Sequence, residues 1–175
     1  MANTCFVYYR VVGEAQVLER IKKAWDDLPY GKYNYKWTGD LLTQLGIPYT
    51  ENHNLSGQLT EVAYEPGDKD LGIYSEDKWS RCDFGKLLQN GIEGIKVYYD
   101  AQVDEEGDYR TNEDEEHSAK YHLYIEDADD YYCQTDKELY EILTEQKNIH
   151  NREELDAYLK ENDDMSFHEY IWEEL

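Results

Sequence analysis

A strand-like opening, an amphipathic helix, a hairpin, a second helix and an alternating strand follow one another in the first two thirds of this 175-residue chain. That order predicts an α+β fold: a ferredoxin-like antiparallel sheet with two helices on one face. Segments with helix-capping signatures come next and predict an acidic helical C-terminal extension. The expected boundaries are residues 1–126 for the sheet domain, with an insertion at about 30–57, and residues 127–175 for the extension packed on it.

Residues 4–12 (TCFVYYRVV) are β-branched and aromatic and read as a strand. Val17, Leu18, Ile21, Ala24, Trp25 and Leu28 recur at helical spacing, and Pro29 stops that helix. Within the insertion, Thr38 to Leu45 predicts a short helix capped by Gly46. Residues 58–65 and 71–76 read as strands joined by the turn Pro66-Gly67-Asp68. A helix over roughly 79–90 buries Phe84, Leu87 and Leu88, with Gly91 placed to end it. In 94–103, Ile95, Val97, Tyr99, Ala101 and Val103 alternate with Lys96, Tyr98, Asp100 and Gln102, as in a half-buried strand. Residues 104–118 read as an exposed acidic loop and 119–126 as another strand. Thr135 with Glu138, Asn151 with Glu154 and Ser166 with Glu169 predict three short acidic helices.

Between Leu71 and Thr111 the pattern has a counterpart. A strand running into acidic residues and Trp79, a helix with Phe84 and Leu87-Leu88, and Gly91-Ile92-Glu93-Gly94 lead into Ile95-Lys96-Val97-Tyr98-Tyr99-Asp100. An acidic segment with Glu105, Glu106, Gly107 and Asp108 follows. This resembles the plasmid- and phage-borne YubB-type proteins, whose start also fits residues 4–28. The resemblance implies a ferredoxin-like fold without an iron–sulfur cluster and an origin in a mobile element. It brings no catalytic residues with it.

Charge decides between classes of partner. Residues 1–50 carry a net +1, residues 51–100 a net −5 and residues 101–175 a net −19, for −23 in all. Such a field repels nucleic acid and membranes of like charge and attracts basic surfaces. No run approaches the ~20 apolar residues that span a bilayer. No signal peptide is read at the N-terminus, and Cys5, Cys82 and Cys133 are too far apart for a C-x-x-C pair, so a cytoplasmic setting is expected.

Catalytic signatures are missing from the sequence. There is no P-loop, no G-x-G-x-x-G and no G-x-S-x-G. Asp104-Glu105-Glu106-Gly107-Asp108 places its glycine at the fourth position, where a calcium loop of the EF-hand type needs it at the sixth. His117 and His122 lack zinc-ligand spacing. No catalytic, cofactor or metal site is therefore expected. The expected function is that of a non-enzymatic acidic interaction protein that binds a basic, nucleic-acid-handling protein as a DNA mimic. Its carboxylates would imitate phosphates spaced about 1.7 Å along a duplex axis. The candidate contact residues form two clusters: Asp104, Glu105, Glu106, Asp108, Glu113, Asp114, Glu115 and Glu116, then Asp163, Asp164, Glu169, Glu173 and Glu174. The alternative is a small accessory module whose sheet binds a peptide or small ligand, its charge serving only solubility.

Overall fold

The computed structural model describes residues 4–31, 35–78, 80–103, 108–114, 116–128 and 130–175. The chain divides into two compact units, residues 1–113 with 173–175, and residues 114–172.

Unit 1 opens with β1 (Thr4–Val12) and α1 (Ala15–Asp27), then β2 (Lys36–Trp37) and α2 (Thr38–Gln44). β3 (Gln58–Ala63) and β4 (Asp70–Lys78) form the expected hairpin, with Gly67 at φ +103° in its turn. α3 (Phe84–Gly91), β5 (Lys96–Val103) and β6 (Tyr109–Thr111) complete the unit. The strands lie in the order β2-β3-β4-β1-β5-β6, each neighbouring pair antiparallel among the described residues.

Period-two patterning gives this sheet a dry face. Val7, Tyr9 and Val11 of β1 lie beside Leu71 and Ile73 of β4 and Val97, Tyr99 and Ala101 of β5, all buried. Leu18 and Ile21 from α1, Leu41 and Leu42 from α2 and Phe84 and Leu88 from α3 join the same cluster. Each fully buried side chain of this kind contributes about 1.5–3 kcal/mol against exposure. The other face carries Phe6, Tyr8, Arg10, Tyr74 and Tyr98.

Unit 2 contains β7 (Tyr121–Ile125), β8 (Asp130–Cys133), α4 (Asp136–Lys147), α5 (Arg152–Glu161) and β9 (Met165–Trp172). β7 is central, antiparallel to both β8 and β9. Its core joins Leu123, Ile125 and Met165 to Leu139 and Leu143 of α4 and Leu155 of α5.

The ferredoxin-like expectation, a sheet with two helices on one face and a helical extension, is corrected. Among the described residues unit 1 has six strands and three helices, and unit 2 has three strands and two helices. The extra elements have identifiable causes. The insertion forms β2 and α2 because Leu41 and Leu42 bury completely. Thr111 turns its side chain inward from the short β6, donating from its hydroxyl to the Tyr99 carbonyl at 3.0 Å. The third predicted helix is β9: Ser166 and Glu169 match a capping box, but their segment pairs residue by residue with β7, from Met165 with Ile125 to Glu169 with Tyr121. The boundary falls between Glu113 and Asp114, because β7 pairs with β8 and β9, and residues 173–175 return to unit 1.

Candidate functional site

Three constellations of polar and charged side chains stand out, each within one unit. The first surrounds Cys82, near the start of α3. The Asp77 carboxylate, 1% exposed, accepts the Cys82 N–H at 2.6 Å and the Ser75 hydroxyl at 2.8 Å. Gly57 is required here, since a Cβ on it would lie 2.2 Å from Asp77 Oδ1. Burial raises the Asp77 carboxyl above its ordinary value, against the lowering effect of those two bonds. Burial and the Asp77 charge push the Cys82 thiol up to about 12. The Tyr9 hydroxyl lies near that thiol without hydrogen-bonding geometry and is itself raised well above its ordinary value by burial. A nucleophilic cysteine needs a lowered pKa. This cluster does the reverse, so its role is to hold the turn that leads into α3. Cys5 and Cys133 are also buried thiols.

The second constellation lies on the opposite face of unit 1. Arg10 donates from Nε and Nη2 to the two carboxylate oxygens of Glu113 at 2.9 and 2.6 Å, and its guanidinium lies 4.5 Å from the Tyr98 ring centroid. Both partners are buried. Asp100 is also on this face. Burial lifts its carboxyl to about 6, the Thr111 hydroxyl lowers it and the nearby Glu113 charge raises it. The buried Asp100 Oδ1 has no hydrogen-bond partner among the described residues.

The third is the charged surface of unit 2. Residues 114–172 hold 18 acidic and 5 basic side chains, a net −13 on 59 residues. Four of those five cations already face carboxylates of the same unit: Lys120 with Asp136, Lys137 with Glu141, Lys147 with Asp164 and Arg152 with Asp156. Helix capping positions α4 and α5, which carry eight of the 18 acids. Thr135 Oγ1 accepts the Glu138 N–H at 3.2 Å, and the Glu138 carboxylate accepts the Gln134 and Thr135 N–H groups. Asn151 Oδ1 accepts the Glu154 N–H at 3.0 Å. Acids in these first turns also oppose the positive end of the helix dipole. The exposed faces then display Glu141, Glu145, Glu153 and Glu161. Tyr140 sits half-buried in a shallow depression along α4 between Lys137, Glu141 and Thr144.

The described members of the thirteen candidate acids are divided between the two units. Asp104, Glu105, Glu106 and Glu115 lie outside the described residues. Glu113 is in the interior with Arg10 and is removed from any contact face. In unit 1, Asp108 and Glu173 both pair with Arg110, at 3.0 and 3.2 Å, and Glu174 is exposed. In unit 2, Asp114 holds a turn by accepting from the His117 and Ser118 region, with His117 N–H at 3.1 Å. Asp164 is pulled below its ordinary value by bonds from Lys147 and the Tyr158 hydroxyl, and Glu169 lies 3.6 Å from Arg152. Glu116 and Asp163 are exposed. The outward acids of α4 and α5 were overlooked in the linear clusters. Their helical phase was legible, for Glu141 and Glu145 stand one turn apart, out of phase with the buried Leu139 and Leu143.

Comparison with known proteins finds no matching family model, no matching curated protein and no matching solved structure. Among the described residues no helix is long and apolar enough to cross a membrane.

Proposed function

We propose that this protein is an acidic interaction protein that binds a basic, nucleic-acid-handling protein through unit 2, in place of nucleic acid. The observation that carries this reading is the net −13 on 59 residues, with four of the five cations already satisfied inside the unit. A field left so uncompensated draws basic surfaces at an increased association rate and repels DNA, RNA and anionic lipid. Tyr140 beside Glu141 offers the apolar anchor that such contacts add to charge. The mobile-element setting belongs to the same reading and rests on the YubB-type pattern from Leu71 to Thr111.

The test is affinity capture from a host lysate at low and high salt, followed by competition with duplex DNA. The expected outcome is one enriched nucleic-acid-binding protein that is lost at high salt and displaced by the duplex. Capture that is indifferent to salt overturns the reading. So does capture unaffected by changing Glu141, Glu145 and Glu153 to Gln.

A further inference from the structure

Of the five arginines in this chain of 40 acidic and 17 basic side chains, Arg10, Arg110 and Arg152 form ion pairs with carboxylates, while Arg20 and Arg81 form none with a described residue. Arg81 makes no ion pair with a described residue, although its charge acts on the buried Asp77 carboxyl; it donates one long bond, 3.3 Å, to the Glu174 carbonyl, and its guanidinium lies 4.2 Å from the Tyr99 ring centroid. Stacking on a ring holds the planar fork in a fixed orientation while leaving most of its N–H donors unused. Arg81 lines a cleft of about 230 Å³ that lies wholly within unit 1. Cys5, Ala101 and Val103 give that cleft an apolar lining, and Ser80 adds a hydroxyl beside Arg81. The second cation in the cleft, Arg110, is already neutralised by Asp108 and Glu173.

We propose that this cleft binds a small monocarboxylate, with Arg81 gripping the carboxylate through its fork and the apolar lining receiving a short hydrocarbon body. The volume is below the roughly 300–1,000 Å³ of sites for drug-sized ligands, which restricts the occupant to a few carbons. The charge pattern restricts it further. Asp108 and Glu173 repel a dianion such as phosphate more strongly than a single carboxylate, which meets the cleft's guanidinium that has no ion pair with a described residue. The net −23 disfavours general anion adsorption, so any carboxylate that binds is held by local geometry.

The experiment is a ¹H–¹⁵N NMR titration of the full chain with sodium isobutyrate, its neutral isostere isobutyramide, and inorganic phosphate. Isobutyrate is expected to shift the Arg81 Nε–H and the Ser80 and Ala101 amides saturably. Isobutyramide and phosphate are each expected to bind at least about tenfold more weakly. Arg81→Gln is expected to weaken isobutyrate by a similar factor while its remaining spectrum superimposes. Should that variant fail to fold, Arg81→Lys keeps the charge and loses the fork, and a smaller loss is expected. Equal binding of acid and amide, tighter binding of phosphate, undiminished binding to the variants, or no saturable shift overturns the proposal.

Discussion

The two units treat their charge in opposite ways. Unit 1 takes polar groups inside: Arg10, Lys36, Thr38, Ser75, Asp77, Thr111 and Glu113 are all buried, whereas in unit 2 only His122 is, among the described residues. Unit 1 nets −10 over 116 residues and unit 2 nets −13 over 59. Their cores differ as well, with 24 buried apolar residues in the first cluster and nine in the second. A large core tolerates the desolvation of an ion pair because its neighbours supply the remaining contacts. A small one keeps its charges in water and relies on caps and surface pairs, each worth little. Charge is therefore a structural element in unit 1 and a surface property in unit 2, and mutations separate the two.

The largest effect is expected at the buried pair. Glu113→Ala leaves Arg10 inside without its bidentate partner, and unit 1 should lose about 3–5 kcal/mol in urea unfolding. The double variant Arg10→Met with Glu113→Leu should recover most of that loss, because an apolar pair of similar volume carries no desolvation cost. If Glu113→Ala costs no more than removing a surface acid such as Glu145, the contrast between the units fails. A cavity tests the other side. Leu143, fully buried in unit 2, should cost about 2–5 kcal/mol when changed to Ala. In so small a cluster that loss should abolish the unit's dispersed NMR spectrum.

The same contrast explains what could be read from the chain. β1 was legible from its β-branched and aromatic run and β5 from alternation that reports one buried face: Val97, Tyr99 and Ala101 are buried while Lys96 is exposed. The caps of α4 and α5 were legible because Thr135 and Asn151 act locally. β9 was not, because in so acidic a chain Ser166 and Glu169 fall three apart without meaning, and only pairing with β7 reveals the strand. The Arg10–Glu113 bond spans 103 residues, so nothing near Glu113 in the sequence separated it from the other acids of its cluster. The acidic character of unit 2 was legible from composition, while the acids that face solvent required the phase of α4 and α5. Arg81 drew no notice in the sequence because its place in the cleft, without an ion pair to a described residue, is a fact of three dimensions.

Asp100 gives the next effect. Its folded carboxyl is raised to about 6 from an ordinary 3.8. Between those values the folded state binds more protons than the unfolded chain, so stability falls as pH rises from about 4 to 6. A rise of that size is worth about 3 kcal/mol, and residual hydration brings this to about 2. Asp100→Asn should therefore stabilise unit 1 by about 2 kcal/mol at pH 7 and by almost nothing below pH 4. Equal stabilisation at both pH values would place the effect outside this carboxyl. Thr135→Ala removes one hydroxyl acceptor from the first turn of α4 and should cost unit 2 about 1 kcal/mol, read from hydrogen exchange of the α4 amides.

The smallest effect separates the units most sharply. Self-repulsion among the exposed acids of unit 2 acts through solvent and is screened over about 8–10 Å at physiological salt. Raising sodium chloride from low concentration should thus slow amide exchange in α4 and α5, and the triple change of Glu141, Glu145 and Glu153 to Gln should flatten that salt response. The Arg10–Glu113 pair lies out of reach of mobile ions, so exchange at the β1 and β5 amides around it should change far less over the same range. A salt response of equal size in both units would mean that the buried pair is solvated, and would withdraw the distinction between charge used inside unit 1 and charge displayed by unit 2.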